Sequence, residues 1–304
     1  MNWRLPAAVE ITEEATREGF QSESKILPTA RKLALIAALC AAGVRRIEVA
    51  SFAHPKWAPQ VADAAEVLAG LPPRPTVSYE ATVPNPHGLR RAIAVGRGIL
   101  REVSTSVAAT DEMSLANWNK PRAEAMAELP AMIAEAHAAG MRFRAGVTVA
   151  FGCPYAGRVP GERVVAMAEE MVAMGADAIW FGDTTGMANP RQVHRLFERA
   201  RAALPAVSLI GHFHNSRGAA LANVLAALVA GVAAFDSSAG ELGGTPYAKG
   251  ASGNVATEDL VAMLHGMGIA TGIDPAGVVA AARQLRDAFE HPLASHMIEV
   301  LASD

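Results

Sequence analysis

Eight short runs rich in β-branched residues recur along the chain, separated by Ala- and Leu-rich segments of helical length. The runs cover residues 9–12, 46–51, 76–82, 100–106, 143–150, 178–182, 207–212 and 234–237. Helical patterns fall near 28–42, 59–69, 86–95, 120–139, 161–174, 190–203 and 217–230. Several open on a proline (Pro28, Pro59, Pro86, Pro190) or close just before a glycine (Gly43, Gly140, Gly175, Gly231), which is the usual punctuation of helices. Eight strand–helix units with no linker or composition break predict an α/β fold, a (β/α)8 TIM barrel. Residues 257–265 and 275–290 also read as helix. Residues 1–304 are therefore expected to form a single domain, with 257–304 as a short C-terminal helical extension that could pack on the barrel or on a second subunit. An open doubly wound sheet is the alternative. Against it, no strand–GxGxxG–helix unit opens the chain, and Gly96-Arg97-Gly98 reads as a turn.

Composition narrows the function classes. Hydrophobic residues make up 51% and charged residues 19%, so a large core is available, and with 5% aromatics it must rest on Ala, Val, Leu, Ile and Met. The net charge of −3, with Lys and Arg scattered, offers no electrostatic footprint for nucleic acid or an acidic membrane. Cys40 and Cys153 lie far apart and suggest neither a disulfide framework nor a zinc pattern, which favours a reducing compartment. The N-terminus lacks an apolar signal core, and no run of 18 or more apolar residues suggests a membrane span. A cytoplasmic location is the expectation.

In such a barrel, chemistry sits at the C-terminal ends of the strands. The most distinctive end is Gly211-His212-Phe213-His214-Asn215. Side chains two apart on a strand share a face, so His212 and His214 can close on one ion with Phe213 turned away. The plainer reading is two polar residues at a strand end. Other ends carry Glu13-Glu14-Ala15-Thr16-Arg17-Glu18-Gly19, Glu48 with Ser51-Phe52-Ala53-His54, Gly182-Asp183-Thr184-Thr185-Gly186 and Asp236-Ser237-Ser238. Each could be a cap, a buried ion pair or a solvated rim. Convergence from separate strands favours a site.

Two imidazoles with a carboxylate and an amide oxygen suit Mg²⁺, Mn²⁺ or a similar divalent cation; zinc is possible, but no thiolate is offered. Arg17 supplies a fixed positive fork for an enolate or carboxylate, and Asp183 or Glu48 could take a proton. The glycine-rich stretch 240–254 would permit a lid or form a plain surface loop. It does not complete a phosphate-binding Gly-x4-Gly-Lys-Ser/Thr pattern.

Several runs together resemble the 3-hydroxy-3-methylglutaryl-CoA lyase family: Ser51-Phe52-Ala53-His54-Pro55-Lys56-Trp57, Phe151-Gly152-Cys153-Pro154-Tyr155-Ala156-Gly157, Gly182-Asp183-Thr184-Thr185-Gly186, and the segment 212–223. Most specific is Leu242-Gly243-Gly244-Thr245-Pro246-Tyr247-Ala248-Lys249-Gly250-Ala251-Ser252-Gly253-Asn254. The resemblance runs in order over roughly residues 8 to 275. It implies cleavage of a 3-hydroxy-3-substituted glutaryl-CoA to acetyl-CoA and a 3-oxo acid such as acetoacetate. It also implies an acyl-CoA substrate and makes a homodimer the expected assembly. By position, Glu18, His212, His214 and Asn254 would hold the metal. Arg17 would stabilise the enolate, Asp183 and Glu48 would handle the substrate hydroxyl, and Glu13 matches a further first-strand carboxylate. Arg17, Glu48, Asp183, His212 and Thr245 are the expected catalytic positions.

This chain departs from the family pattern in three places. Glu18 stands where the lyases carry Asp, which keeps charge and ligand type. His54 replaces a small residue. Thr245 stands where the family has the lid cysteine that acts as acid, and an alkyl hydroxyl is far too weak an acid for that role unaided. The proton could then come from water, Tyr247, Cys153 or His54, in a lyase for this or another 3-hydroxyacyl-CoA. Two alternatives remain: a Claisen-type synthase, which needs no enolate protonation, and a catalytically idle protein that binds metal and acyl-CoA.

Overall fold

The computed structural model describes residues 3–244 and 252–301. Eight parallel strands follow one another around a closed barrel: β1 (Glu10–Glu13), β2 (Arg46–Ser51), β3 (Ser78–Thr82), β4 (Leu100–Ala108), β5 (Arg142–Thr148), β6 (Ala178–Asp183), β7 (Ser208–Phe213) and β8 (Ala234–Ser237). Closure comes from β8 pairing back on β1, with Glu10 opposite Ala234 and Glu13 opposite Ser237. The expected (β/α)8 barrel is the observed fold, and the strands fall within a few residues of their expected bounds.

Helix boundaries differ where local chemistry intervenes. The stretch expected as a helix over 59–69 is a 3₁₀ turn, Pro59–Val61, followed by the helix Ala64–Gly70. A short helix that the pattern did not suggest, Asp111–Trp118, starts at Thr110, whose hydroxyl accepts from the Met113 N–H at 3.3 Å. It ends at Asn119 in the left-handed region, so the next helix begins at Arg122. The C-terminal helix Pro275–Phe289 packs on the first long helix, Thr29–Ala41, and so completes the outer ring. The Asp274 N–H donates to the Ala42 carbonyl at 2.7 Å. Gly43, at φ 96°, passes so close to the backbone there that a Cβ would stand 2.3 Å from the Gly272 oxygen.

Alternation along the strands sorts side chains into two layers. Ile47, Tyr79, Val103, Phe143, Phe181 and Phe235 are buried in the apolar core shared by strands and helices. The barrel interior, usually filled by branched apolar side chains, is instead ionic. Arg144 on β5 contacts Asp236 on β8, Glu14 just past β1 at 3.3 Å and Glu80 on β3 at 3.6 Å. Arg46 on β2 reaches Glu80 and Glu102, each at 2.6 Å. These carboxylates are almost wholly buried, and burial together with carboxylate neighbours pushes the Glu80 and Glu14 carboxyls well above their usual range. Burial opposes the charge on Arg144, but Asp236, Glu14 and Glu80 outweigh it and hold the guanidinium protonated. Removing one member of such a network strands the others. Arg144→Met is expected to lower unfolding stability by about 3–5 kcal/mol in urea titration; a loss below about 1 kcal/mol would show that the carboxylates carry protons and need no cation.

Candidate active site at the barrel mouth

The chain leaves β1 through a π-helical turn, Ala15–Gly19, in which the Arg17, Glu18 and Gly19 N–H groups all donate to the Glu14 carbonyl, at 3.0, 2.8 and 3.3 Å. Such wide turns are uncommon and collect at functional sites. Glu13 fixes this one: its Oε1 accepts from the Ala15 and Ala239 N–H groups at 2.8 and 3.0 Å, and its Oε2 accepts from the Thr257 hydroxyl at 2.6 Å. The first-strand carboxylate Glu13 thus ties the ends of β1 and β8 together. The turn sets Arg17 and Glu18 beside each other over the barrel mouth, with Nη1 of Arg17 at 3.2 Å from Glu18 Oε2.

Glu18 meets the two imidazoles of β7. Its Oε1 lies 3.2 Å from His214 Nε2 and 3.8 Å from His212 Nε2, and the two Nε2 atoms are 3.3 Å apart. The other ring nitrogens are already engaged. His212 Nδ1 is 3.1 Å from Asp236 Oδ2, and His214 Nδ1 is 3.1 Å from the Ser252 carbonyl oxygen. Both partners accept, so each Nδ1 donates and, in a neutral ring, each Nε2 keeps its lone pair. Two lone pairs and a carboxylate converging on one point repel one another unless a cation lies between them. Asn254 pairs with His214 across a bridge, gives its Nδ2–H to Glu14 at 3.4 Å, and leaves a buried Oδ1 with no partner among the described residues. Nitrogen, carboxylate and amide donors of this kind suit a divalent cation, and the Asp236–His212 contact is the outer support that metal-bound imidazoles ordinarily have. Burial would raise the Glu18 carboxyl, but His212 and His214, whenever their rings carry a proton in place of a cation, overcome it together with Arg17 and hold the group well below the usual carboxylate range.

Arg17 and Glu48 form a second unit. Arg17 binds Glu48 through Nε and Nη2, and the Thr82 hydroxyl donates to the other Glu48 oxygen at 2.5 Å. Both Glu48 oxygens are therefore committed. Asp183, at the end of β6, differs: its Oδ1 accepts from the Ala188 N–H at 2.9 Å, while its buried Oδ2 has no partner among the described residues. Burial pushes its carboxyl up to about 7.

Arg17, Glu18, Glu48, His212, His214 and Asn254 are joined by these contacts, and Asp183 stands at the neighbouring strand end, opposite Phe213 in register. Thr245 and Tyr247 lie outside the described residues. Two other candidate proton donors are engaged locally. His54 is exposed and its Nδ1 accepts from the Lys56 N–H at 3.1 Å. Cys153 is fully buried and its sulfur takes the Thr110 hydroxyl at 3.1 Å. The sequence pattern gives no role to Arg144 or Trp180 and presents Glu14 and Asp236 only as strand-end residues. The available signal was a charged residue, Arg144, inside a run that otherwise reads as fully buried strand. Asp236→Asn is expected to weaken Mn²⁺ binding by about 10–100-fold in calorimetric titration, and His214→Ala to weaken it further. Unchanged Mn²⁺ affinity in both variants would remove the cation from this cluster.

Residues 8–285 match the HMGL-like family model. The chain is 42% identical to the hydroxymethylglutaryl-CoA lyase of Pseudomonas mevalonii over 88% of each chain. It superposes on the crystal structure of hydroxymethylglutaryl-CoA lyase from Pseudomonas aeruginosa with a TM-score of 0.94 at 38% identity, covering 98% of this chain and 99% of the other. An HMG-CoA lyase from Acinetobacter baumannii, solved with coenzyme A and 3-methylmalate, matches with a TM-score of 0.90 at 35% identity over 96% and 95% of the two chains. The chain belongs to the HMGL-like family.

Proposed function

We propose that this chain is a divalent-metal-dependent carbon–carbon lyase that cleaves 3-hydroxy-3-methylglutaryl-CoA to acetyl-CoA and acetoacetate. The observation that carries the reading is the junction of Glu18, His212 and His214 with the Arg17–Glu48 pair, a cation-binding set next to a fixed guanidinium. The CoA-bound relative supports an acyl-CoA substrate. A homodimer is the assembly that the family resemblance favours, and a cytoplasmic location is the reading that the sequence favours, with which two buried free cysteines accord.

The cation, on Glu18, His212, His214 and Asn254, would supply Lewis acidity to the substrate oxygens. Asp183, with one free carboxylate oxygen, takes the proton of the 3-hydroxyl. The C2–C3 bond then breaks, C3 becomes the ketone of acetoacetate, and the bonding pair passes to C2 as the enolate of acetyl-CoA. Arg17, held rigid by Glu48 and Thr82, places its charge where the enolate oxygen develops. Glu48 is thereby a positioning residue for Arg17, its charge held in that ion pair and both its oxygens already accepting hydrogen bonds. The proton taken from the hydroxyl equals the proton that C2 needs, so Asp183, directly or through water, can complete the reaction where Thr245 lacks the acidity of a thiol.

Acetyl-CoA release from 3-hydroxy-3-methylglutaryl-CoA is expected with Mg²⁺ or Mn²⁺ and is expected to vanish in EDTA. Arg17→Met should lower kcat by about 10²–10³-fold, the usual cost of removing one oxyanion donor. No release in metal-loaded protein would turn the reading toward another acyl-CoA or the condensation direction. The pH profile tests Asp183. It accepts a proton only when ionised, so kcat/KM should fall as pH drops through about 7, with the limb moved lower by a bound cation. Asp183→Asn should abolish that limb; a limb that persists unchanged in the residual activity would assign it to another group.

A further inference from the structure

Trp180 is the one partly exposed residue of β6, whose other residues are all buried. Its ring lies inside the barrel. The centroid stands 5.2 Å from that of His212, and the Arg144 guanidinium carbon lies 6.0 Å from it. Below it the interior is sealed by buried Arg144 with its carboxylate partners, so the accessible part of the indole faces the mouth. Two glycines make room for it. A Cβ on Gly146, directly across the β5–β6 register, would fall 1.9 Å from Trp180 Cε2, and one on Gly182 would fall 2.8 Å from Cζ3. The indole N–H is buried and finds no acceptor among the described residues. Packing favours a ring without a buried unsatisfied donor, so packing alone does not account for an indole here.

A substrate whose oxygens reach the centre at His212 must lay its C3 substituent within a few ångströms of that imidazole. On the β6 side of His212 that space belongs to the indole. We propose that Trp180 is the specificity-determining wall of the acyl pocket, set on Gly146 and Gly182, and that it limits the substituent at C3 to a small alkyl group. This inference rests on the lyase reading above for the position of the acyl chain. It makes Trp180 a contact for substrate rather than a member of the ionic interior.

Two measurements test it. In turnover, kcat/KM is compared for 3-hydroxy-3-methylglutaryl-CoA and 3-butyl-3-hydroxyglutaryl-CoA. In binding, calorimetry on the metal-loaded protein compares 3-methylglutaryl-CoA with 3-butylglutaryl-CoA, which lack the hydroxyl and cannot react. Trp180→Ala, with Trp180→Leu as a smaller truncation should the first fail to fold, is expected to shift both ratios toward butyl by about tenfold or more, on the scale of 10–200-fold per methylene that pockets achieve. The turnover shift should appear mainly in KM. Trp180→Phe, which keeps the wall, should leave both ratios within about threefold. Equal losses for methyl and butyl compounds would overturn the proposal and leave Trp180 as support for His212. A binding shift without turnover in the wild type would keep the wall and sink the lyase reading. Turnover of the methyl substrate with unmoved ratios would do the reverse. Failure of 3-methylglutaryl-CoA to bind the metal-loaded wild type would remove both.

Discussion

The shared carboxylate of Asp236 is the contact on which the rest depends. One of its oxygens lies against the Arg144 guanidinium and 3.1 Å from His212 Nδ1. Through Arg144 it is coupled to Glu14 and Glu80, and so to Arg46 and Glu102 across the barrel. Through His212 it fixes the tautomer that exposes Nε2 at the mouth. A barrel packed with branched apolar residues could be as stable, and replacing buried ion pairs by such residues is often neutral or stabilising. It could not hold an imidazole by a charge below and present its other nitrogen above. The ionic interior is continuous with the site and positions it.

The mouth is divided between two jobs. In the proposed reading, Glu18 and the β7 histidines hold a cation, while Arg17, braced by Glu48 and Thr82, keeps a positive charge beside them. Asp183 stays outside this ion pairing, and its burial leaves it with a carboxyl near neutrality, the range a group needs to take and return a proton. Two carboxylates of similar burial thus differ in their partners: Glu48 is paired with Arg17 and accepts at both oxygens, whereas Asp183 makes no ion pair among the described residues and has one oxygen without a partner there.

Much of this was legible in the chain itself. The strand–helix alternation is periodic and local, so the barrel could be read from it, and His212 and His214 announce a shared face by their spacing alone. Glu18, Arg17, Asp183 and Asn254 were found through strand ends and family resemblance. What escaped notice depends on contacts between strands remote in sequence. The partners of Arg144 come from β1, β3 and β8, and no local pattern records that. Trp180 reads as one more apolar residue in a buried run, and its meaning emerges only when Gly146 on the adjacent strand leaves it room. The helix Asp111–Trp118 was missed for a different reason: it is short and lacks a clear apolar stripe, and its signal is the Thr110 cap.

The pairing of β1 with β8 gives the site a role in the folding of the chain. Glu18 comes from the first strand–helix junction, the imidazoles from the seventh strand, and Asn254 from beyond the eighth. No contiguous fragment holds the full set. The loop closure that joins the two ends carries the entropic cost of long-range pairing, which slows barrels of this kind. A cation seated on these residues binds only the closed form, so by mass action it adds to the stability of the final, most distant contact. The ion that serves the chemistry would also act as a clasp on the barrel seam.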